Sequence, residues 1–393
     1  MRNAPSMLRS FLALLLAVGL STVQAAEDGE VDYIDLAAVL VQDGYYDRAE
    51  QALLNIEDPE AEEIDTARYW SVFGLVHLNR NALELAGRDF YAAIDAGLVD
   101  EVTGQTPEVI YIYLAQVHFG LEEYDQAIES LDRAGSTAAR LSSTWTLRSH
   151  AHWLLGQQQE TFDTLAEASS RFPDNHTFLR RKVFYLIELR LFQQAGDLGG
   201  EYLALTEGTA DDHVAIGNAL RQAGSFDDAL RFLETGALRY PDDINVQKVL
   251  GHTHFEAGRP LAAADIFYRA SMQDPELVSE AAELYRRAGL LYRSLMLNGE
   301  IVDQEKKLKQ RLAIFLGLER FEAITAMEDA MYRVGLLEDE DLRYAMGYAW
   351  FKVGNYAKAE EHIARLQRPD LFRKGIELRE IMEDCKGAAW RCS

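Results

Sequence analysis

Nine histidines and two cysteines are the side chains here with the most chemistry to offer. His150 and His152, and again His252 and His254, stand two apart. On a helix that spacing turns two rings about 200° away from one another, so neither pair can grip a single ion. A structural zinc needs several converging ligands, and the histidines supply no such set, so no metal site is read from them. No His-Glu-x-x-His helix, Gly-x-Ser-x-Gly elbow, phosphate loop or Cys-x-x-Cys pair occurs. Gly199-Gly200 belongs to no dinucleotide fingerprint, so no cofactor is expected. The acidic pairs Glu62-Glu63 and Asp211-Asp212 are of the kind found at helix starts, where carboxylates favour the macrodipole. Reading one as a glycosidase pair would require a cleft that a sequence does not display. With neither an activated nucleophile nor an acid–base dyad, no catalytic residue is assigned and the chain is read as non-enzymatic.

Cys385 and Cys392 lie beyond the last helical pattern, around Lys386-Gly387-Ala388-Ala389-Trp390-Arg391. In an oxidising compartment two such thiols are expected to close the tail as an intramolecular disulfide. Redox catalysis or a mixed disulfide is the alternative, although the spacing matches no redox motif. The N-terminus supports an oxidising compartment. Arg2 and Arg9 precede an apolar run, Phe11 to Leu20, too short to span a bilayer. Val23-Gln24-Ala25 then offers small residues where a signal peptidase binds, so cleavage is expected after Ala25 and the mature chain is expected to be periplasmic or secreted, without a membrane anchor.

Removing that leader leaves 37 basic against 64 acidic residues. Such a balance argues against nucleic acid as a partner, because phosphate binding needs a concentrated basic face. The charge is uneven. Between Glu27 and Asp65 there are 14 acids and a single base, Arg48, while Arg286 to Arg311 carries seven bases and three acids. Both blocks read either as solvated surface or as a polar docking pattern in which the acidic end steers a basic partner.

The elements that would position these side chains repeat. A small residue, Ala twelve on, a small residue seven further and Pro five beyond that occur at Gly251, Ala263, Ala270 and Pro275, and 34 residues earlier at Gly217, Ala229, Gly236 and Pro241. Ser149, Thr161, Ala168 and Pro173 keep the frame, as do Ala115, Ala127 and Ala134 without the proline. A 34-residue period fits two antiparallel helices and a short turn, with small residues where the axes cross. Gly224, Gly258 and Gly354 fall where a helix would end on a left-handed residue.

Trp70-x-x-Phe73-Gly74-x-x-His77 followed by Ala86-x-x-x-Phe90 resembles the tetratricopeptide repeat (TPR) signature. The resemblance implies an all-α fold, a right-handed superhelical solenoid of about ten TPR-like hairpins closed by a C-terminal capping helix. Repeats begin at Glu30, Ala67, Glu108, Ser142, His176, Ala210, Ile244, Pro275, Glu305 and Glu340. The organisation is a leader (1–25), a repeat array (26–371), and a capping helix with a Cys-closed tail (371–393). The clearest repeats are 30–63, 67–100, 108–141, 142–175, 210–243, 244–277 and 340–369. Segments 176–209 and 275–339 depart from the pattern, the first because Gly199 stands where a large seam residue is expected.

Proteins similar to this one bind a partner segment in a concave groove lined by the first helix of each hairpin. Carried onto this chain, that lining is His150, Trp153, Arg180, Phe184, Asn218, Arg221, Lys248, His252, Phe255, Tyr344, Tyr348 and Phe351. The Lys/Asn carboxylate clamp of chaperone-binding TPR proteins is not reproduced, because Val214 precedes Asn218 by one turn. His77, His118, His152 and His254 occupy the site where the family often has Tyr and are read as hydrogen-bonded seam residues. The implied partners are envelope proteins, and the chain also resembles periplasmic TPR proteins that accompany TonB-type energy-transducing systems. A scaffold for envelope polysaccharide assembly is the alternative, with groove aromatics stacking on sugars, and an envelope-polymer-processing enzyme is a third.

Overall fold

The computed structural model describes residues 32–99 and 107–387. Among them every regular element is helical, as the repeat implies. The expected leader, and Cys392 with the rest of the tail, lie outside the described residues. Cys385 is buried on the inner side of the last helix. The described residues form two compact bodies, divided between Lys182 and Val183.

In the N-terminal body the elements are α1 (Tyr33–Gln42), α2 (Tyr46–Leu54), α3 (Thr66–Asn79), α4 (Leu83–Asp95), α5 (Glu108–Gly120), α6 (Tyr124–Arg133), α7 (Gly135–Ala139), α8 (Ser142–Leu154) and α9 (Gln158–Arg171). Helix α10 (Thr177–Glu188) carries the division. The C-terminal body continues with α11 (Phe192–Leu205), α12 (Ala210–Gln222), α13 (Phe226–Arg239), α14 (Ile244–Glu256) and α15 (Pro260–Ser271). After a 3₁₀ turn at Pro275–Leu277 come α16 (Val278–Arg287), α17 (Leu291–Asn298), α18 (Gln304–Gly317), α19 (Phe321–Thr325) and α20 (Glu328–Arg333). A second 3₁₀ turn, Leu336–Glu338, leads to α21 (Glu340–Lys352), α22 (Tyr356–Ile363) and α23 (Pro369–Gly387).

Consecutive helices pair as antiparallel hairpins, α3 with α4, α14 with α15 and α21 with α22 among them. Small residues set the crossing distance. A Cβ added to Gly74 would lie 2.6 Å from the Phe90 ring, one on Gly217 2.5 Å from Leu233, and one on Gly251 2.5 Å from Phe267. Each contact joins the first helix of a hairpin to a large buried residue of the second, so the frame of small residues acts through close packing.

The turn inside each hairpin is equally regular. Gly44, Asn81, Glu122, Gly156, Arg190, Gly224, Gly258, Gly289, Glu319 and Gly354 all have left-handed backbone, with φ between 54° and 81°. From Glu122 to Gly258 they follow at steps of 34 residues. An L side chain there costs energy that glycine avoids. Glu122→Gly and Arg190→Gly are each expected to stabilise the protein by about 0.5–1 kcal/mol, read as a higher urea midpoint at unchanged slope.

The segments that depart from the pattern have their own packing. In α11, Gly196 and Gly199 let the helix lie against α12, where Leu220 and Ile216 fill the space that larger side chains would take. The large seam residue expected at position 199 is thus supplied from the opposite helix. Between 275 and 339, α17 is short and the helical segment after α18 is broken into α19 and α20. A buried polar knot holds this region: the Asn298 amide donates to the Lys307 carbonyl (2.9 Å) and to Gln310 (3.1 Å), and its oxygen accepts from Arg311 Nε (2.8 Å).

Many acids serve as helix caps. Asp32, Asp65, Asp243, Asp303 and Asp339 each accept backbone N–H groups of the helix they precede. Asp212 closes a capping box with Thr209 and also accepts from the Tyr202 hydroxyl at 3.1 Å. Part of the negative charge is therefore spent on helix starts.

Candidate interaction surface

The expected lining divides between the two bodies. In the first, α8 carries His150 and Trp153, and α10 carries Arg180; all three are partly buried. The His150 ring packs against Phe119 of α5, with centroids 5.3 Å apart. Burial, helped by the Arg181 guanidinium, pushes its pKa down to about 4 from the ordinary 6.5. The unfolded chain therefore takes up the proton first as pH falls. Stability contributed by this ring is fully present above pH 6.5 and is lost as pH drops toward 4. The full shift corresponds to ~3 kcal/mol, reduced by the water that reaches the ring. His150→Gln is expected to flatten the dependence of stability between pH 7 and 4.5, measured by urea denaturation at each pH.

In the second body the cations expected in the lining are already engaged. Arg221 donates to Asn218 Oδ1 from Nε (3.2 Å) and Nη2 (2.8 Å), and pairs with Glu256 of α14. Lys248 reaches Asp274 at 3.1 Å. Phe255 is partly buried, with the Arg287 guanidinium 5.2 Å above its ring. His252 is exposed and meets Phe267 edge-on at 5.0 Å. Phe184 is partly buried on α10.

On α21, Tyr344, Tyr348 and Phe351 are partly buried and pack against a core that includes Leu371, Leu378 and Met382 of α23. Tyr348 meets Phe321 edge-on at 5.9 Å, Phe351 stacks on Tyr356 at 6.0 Å, and Lys374 lies 5.8 Å over Tyr344. Asn218, Arg221 and Glu256 thus form one polar cluster, and the three α21 rings form an aromatic one.

The charge blocks also resolve. Arg286 and Arg287 both bind Glu283, Lys307 donates to the carbonyls of Gly299 and Ile301, and Arg311 joins the Asn298 knot. These four of the seven bases are therefore engaged within the protein. At the acidic end Asp35 pairs with Arg68, and Arg80 with Glu50 and Asp47. Glu57, Asp58, Glu60, Glu62 and Glu63 stay exposed in the loop before α3.

Three of the four seam histidines are hydrogen-bonded; His254 departs from the expectation, its buried Nδ1 having no hydrogen-bond partner. His77 Nδ1 lies 2.5 Å from Asp89, His118 Nδ1 2.6 Å from Glu123, and His152 Nδ1 2.6 Å from Gln157. His118 also meets the Tyr91 hydroxyl at 3.0 Å, a chain of Tyr, His and Glu that looks like a catalytic relay. Its recurrence argues otherwise. His254, four repeat lengths on, faces Glu234 at 3.6 Å in the place of Tyr91, so the position joins one hairpin to the next. Burial raises the Tyr91 pKa, the opposite of what an activated phenol needs. No group of three His, Cys, Asp or Glu among the described residues could hold a metal ion.

Sequence reasoning missed Glu256, Asp274 and Arg287 as partners of the lining. Their reach across helices leaves no spacing signal. It also missed Asp89, although a carboxylate beside Phe90 on an otherwise apolar face was a visible irregularity.

The hairpins and their 34-residue step define the class, an all-α array of TPR-like repeats. No protein-family model matches the chain, and no curated protein matches it. Among solved structures, RapI in its apo form is similar at 12% identity and a TM-score of 0.44, over 90% of this chain and 98% of its own. MamA from Desulfovibrio magneticus RS-1 is similar at 14% identity and a TM-score of 0.37, over 43% of this chain and 95% of its own. YrrB, described as a TPR protein with an unusual peptide-binding site, is similar at 16% identity and a TM-score of 0.36, over 43% of this chain and 87% of its own.

Proposed function

We propose that this protein is a non-catalytic scaffold of the bacterial periplasm that holds a segment of an envelope protein against the face formed by the first helices of its hairpins. The observation that carries the reading is the Asn218–Arg221–Glu256 cluster, flanked by Lys248, His252 and Phe255 on the next such helix. Polar groups satisfied within the protein yet open to water can exchange partners, and neighbouring rings add apolar contact area. A TonB-type energy-transducing complex is the setting we favour, on the export signal, size and repeat content. A tail closed by Cys385 and Cys392 belongs to the same reading, since the periplasm is oxidising.

The polysaccharide alternative draws on Tyr344, Tyr348 and Phe351, but these rings spend much of their surface on one another and on α23. In-cell crosslinking, followed by mass spectrometry at low and high salt, separates the readings. Capture of an envelope protein that weakens with salt and with Arg221→Ala or Lys248→Ala supports the scaffold. Salt-resistant binding of purified protein to polysaccharide, without protein capture, supports the alternative.

A further inference from the structure

The first helix of the array differs from its counterparts in what covers it. Leu36 of α1 occupies the register held by Phe73, Leu114 and Leu250 in later repeats. Those three are 8%, 1% and 5% exposed, whereas Leu36 is 41% exposed. Tyr33 (36%) and Val39 (47%) extend the stripe, and Leu40 is partly buried beside it. In the later repeats this face receives the second helix of the preceding hairpin: α2 lies on α3, α4 on α5, and α13 on α14. Among the described residues no helix precedes α1 and lies over its stripe.

We infer that the exposed face of α1 is a second docking site, distinct from the surface above, and that its occupant is a basic amphipathic helix of a partner protein. Two observations specify it. The chain's own seams show how a helix covers this register. On α5 the cover is α4, with Leu83 against Gly120, Gly87 against Val117, Phe90 stacked on Tyr113 at 5.6 Å, and Tyr91 bonded to His118. The corresponding positions of α1 are Gln42, Val39, Asp35 (paired with Arg68) and Leu40, so apolar or small residues at i, i+4, i+7 and i+8 are the pattern carried over to it. The surroundings set the charge. Asp32, Asp43 and Asp47 are exposed around α1 and α2, the loop before α3 adds Glu57, Asp58, Glu60, Glu62 and Glu63, and Arg48 is the single base of the block. Arg68 and Arg80 reach in from α3 and its end to Asp35, Asp47 and Glu50, and the acids still outnumber the bases. An acidic helix would be repelled, and a basic one is drawn in and oriented.

The test uses two labelled helical peptides of equal length. Both carry Leu, Gly, Phe and Tyr at i, i+4, i+7 and i+8; one has Lys at its solvent positions and the other Glu. Fluorescence anisotropy against the full chain is expected to show saturable binding of the Lys peptide, weakened by salt, with the Glu peptide at least roughly tenfold weaker. Leu36→Glu and Val39→Glu change exposed positions, so both variants are expected to keep the wild-type circular dichroism melt. Each is expected to lose roughly tenfold or more in affinity. Equal binding of the two peptides, binding untouched by Leu36→Glu, or no binding at all would overturn the inference. So would binding seen only after residues 1–25 are removed, which would assign the stripe to the leader. Self-association abolished by Leu36→Glu would assign it to a second copy, with the same consequence.

Discussion

Phe267→Ala is expected to lower the stability of the C-terminal body by about 3–5 kcal/mol, near the upper end for a buried aromatic. The size follows from what surrounds the ring. Phe267 is 1% exposed and sits against Gly251 of the facing helix, close enough that even a Cβ there would clash with it. Its cluster includes five alanines, Ala263, Ala264, Ala270, Ala281 and Ala282, beside larger residues such as Leu277, Leu284 and Tyr285. Gly251 and the alanines have no side chain that can swing into a vacated space, so the part of the cavity they border stays open and its cost is only partly relieved by collapse. The loss also reaches the surface, because the exposed His252 ring rests edge-on against Phe267. Urea denaturation should show a lower midpoint, and hydrogen exchange should show α14, α15 and α16 opening before the rest of the body, since repeats couple mainly to their neighbours. A cost below about 1 kcal/mol would mean that the hairpin repacks and that the small-residue frame is not what fixes its geometry.

That frame explains which parts of the fold were legible. A crossing needs a small residue on one helix and a large one on the other, and both types are written in the sequence at Gly217 with Leu233 and at Gly251 with Phe267. Gly199 obscured its repeat because the contact is inverted there, with the bulk coming from Ile216 of the next hairpin. The left-handed turn was readable at Gly224 and Gly258. At Glu122 and Arg190 the same backbone is imposed by the hairpin on residues that do not announce it.

The surface was legible by position and not by partner. Periodicity tells which side of a helix Arg221 and Lys248 occupy, but their long, flexible side chains reach acids on other elements, Glu256 on α14 and Asp274 beyond α15. The basic block from Arg286 to Arg311 shows the same limit. Charge counted along the chain allowed either a solvated surface or a docking pattern, and the folded chain engages much of it with Glu283, Asn298 and two backbone carbonyls.

Asp89→Ala is expected to cost about 3 kcal/mol, although it deletes only a small side chain. The Asp89 carboxylate is fully buried, bonds to His77 Nδ1 at 2.5 Å, and accepts from Arg88 Nε and Nη2 at 3.0 and 2.8 Å. Arg88 is largely exposed and can turn to water once its partner is gone. His77 cannot: its ring is buried against Phe73, at 4.8 Å, and would keep an unsatisfied nitrogen. Most of the loss should therefore trace to His77, and Arg88→Ala alone should cost only a few tenths of a kcal/mol. The chain contains its own control. The repeat beginning at Ala210 has Leu220 and Phe232 at the two corresponding positions, so the hairpin geometry accepts an apolar pair there. The double replacement His77→Leu with Asp89→Phe is accordingly expected to recover most or all of the stability lost in Asp89→Ala, because it removes both polar partners together. Calorimetric melts of His77→Leu, Asp89→Phe and the double variant, with Asp89→Ala alongside, close the cycle. A double variant as unstable as Asp89→Ala would show that the first hairpins need this polar pair for their packing, and that the repeats are not interchangeable at this register.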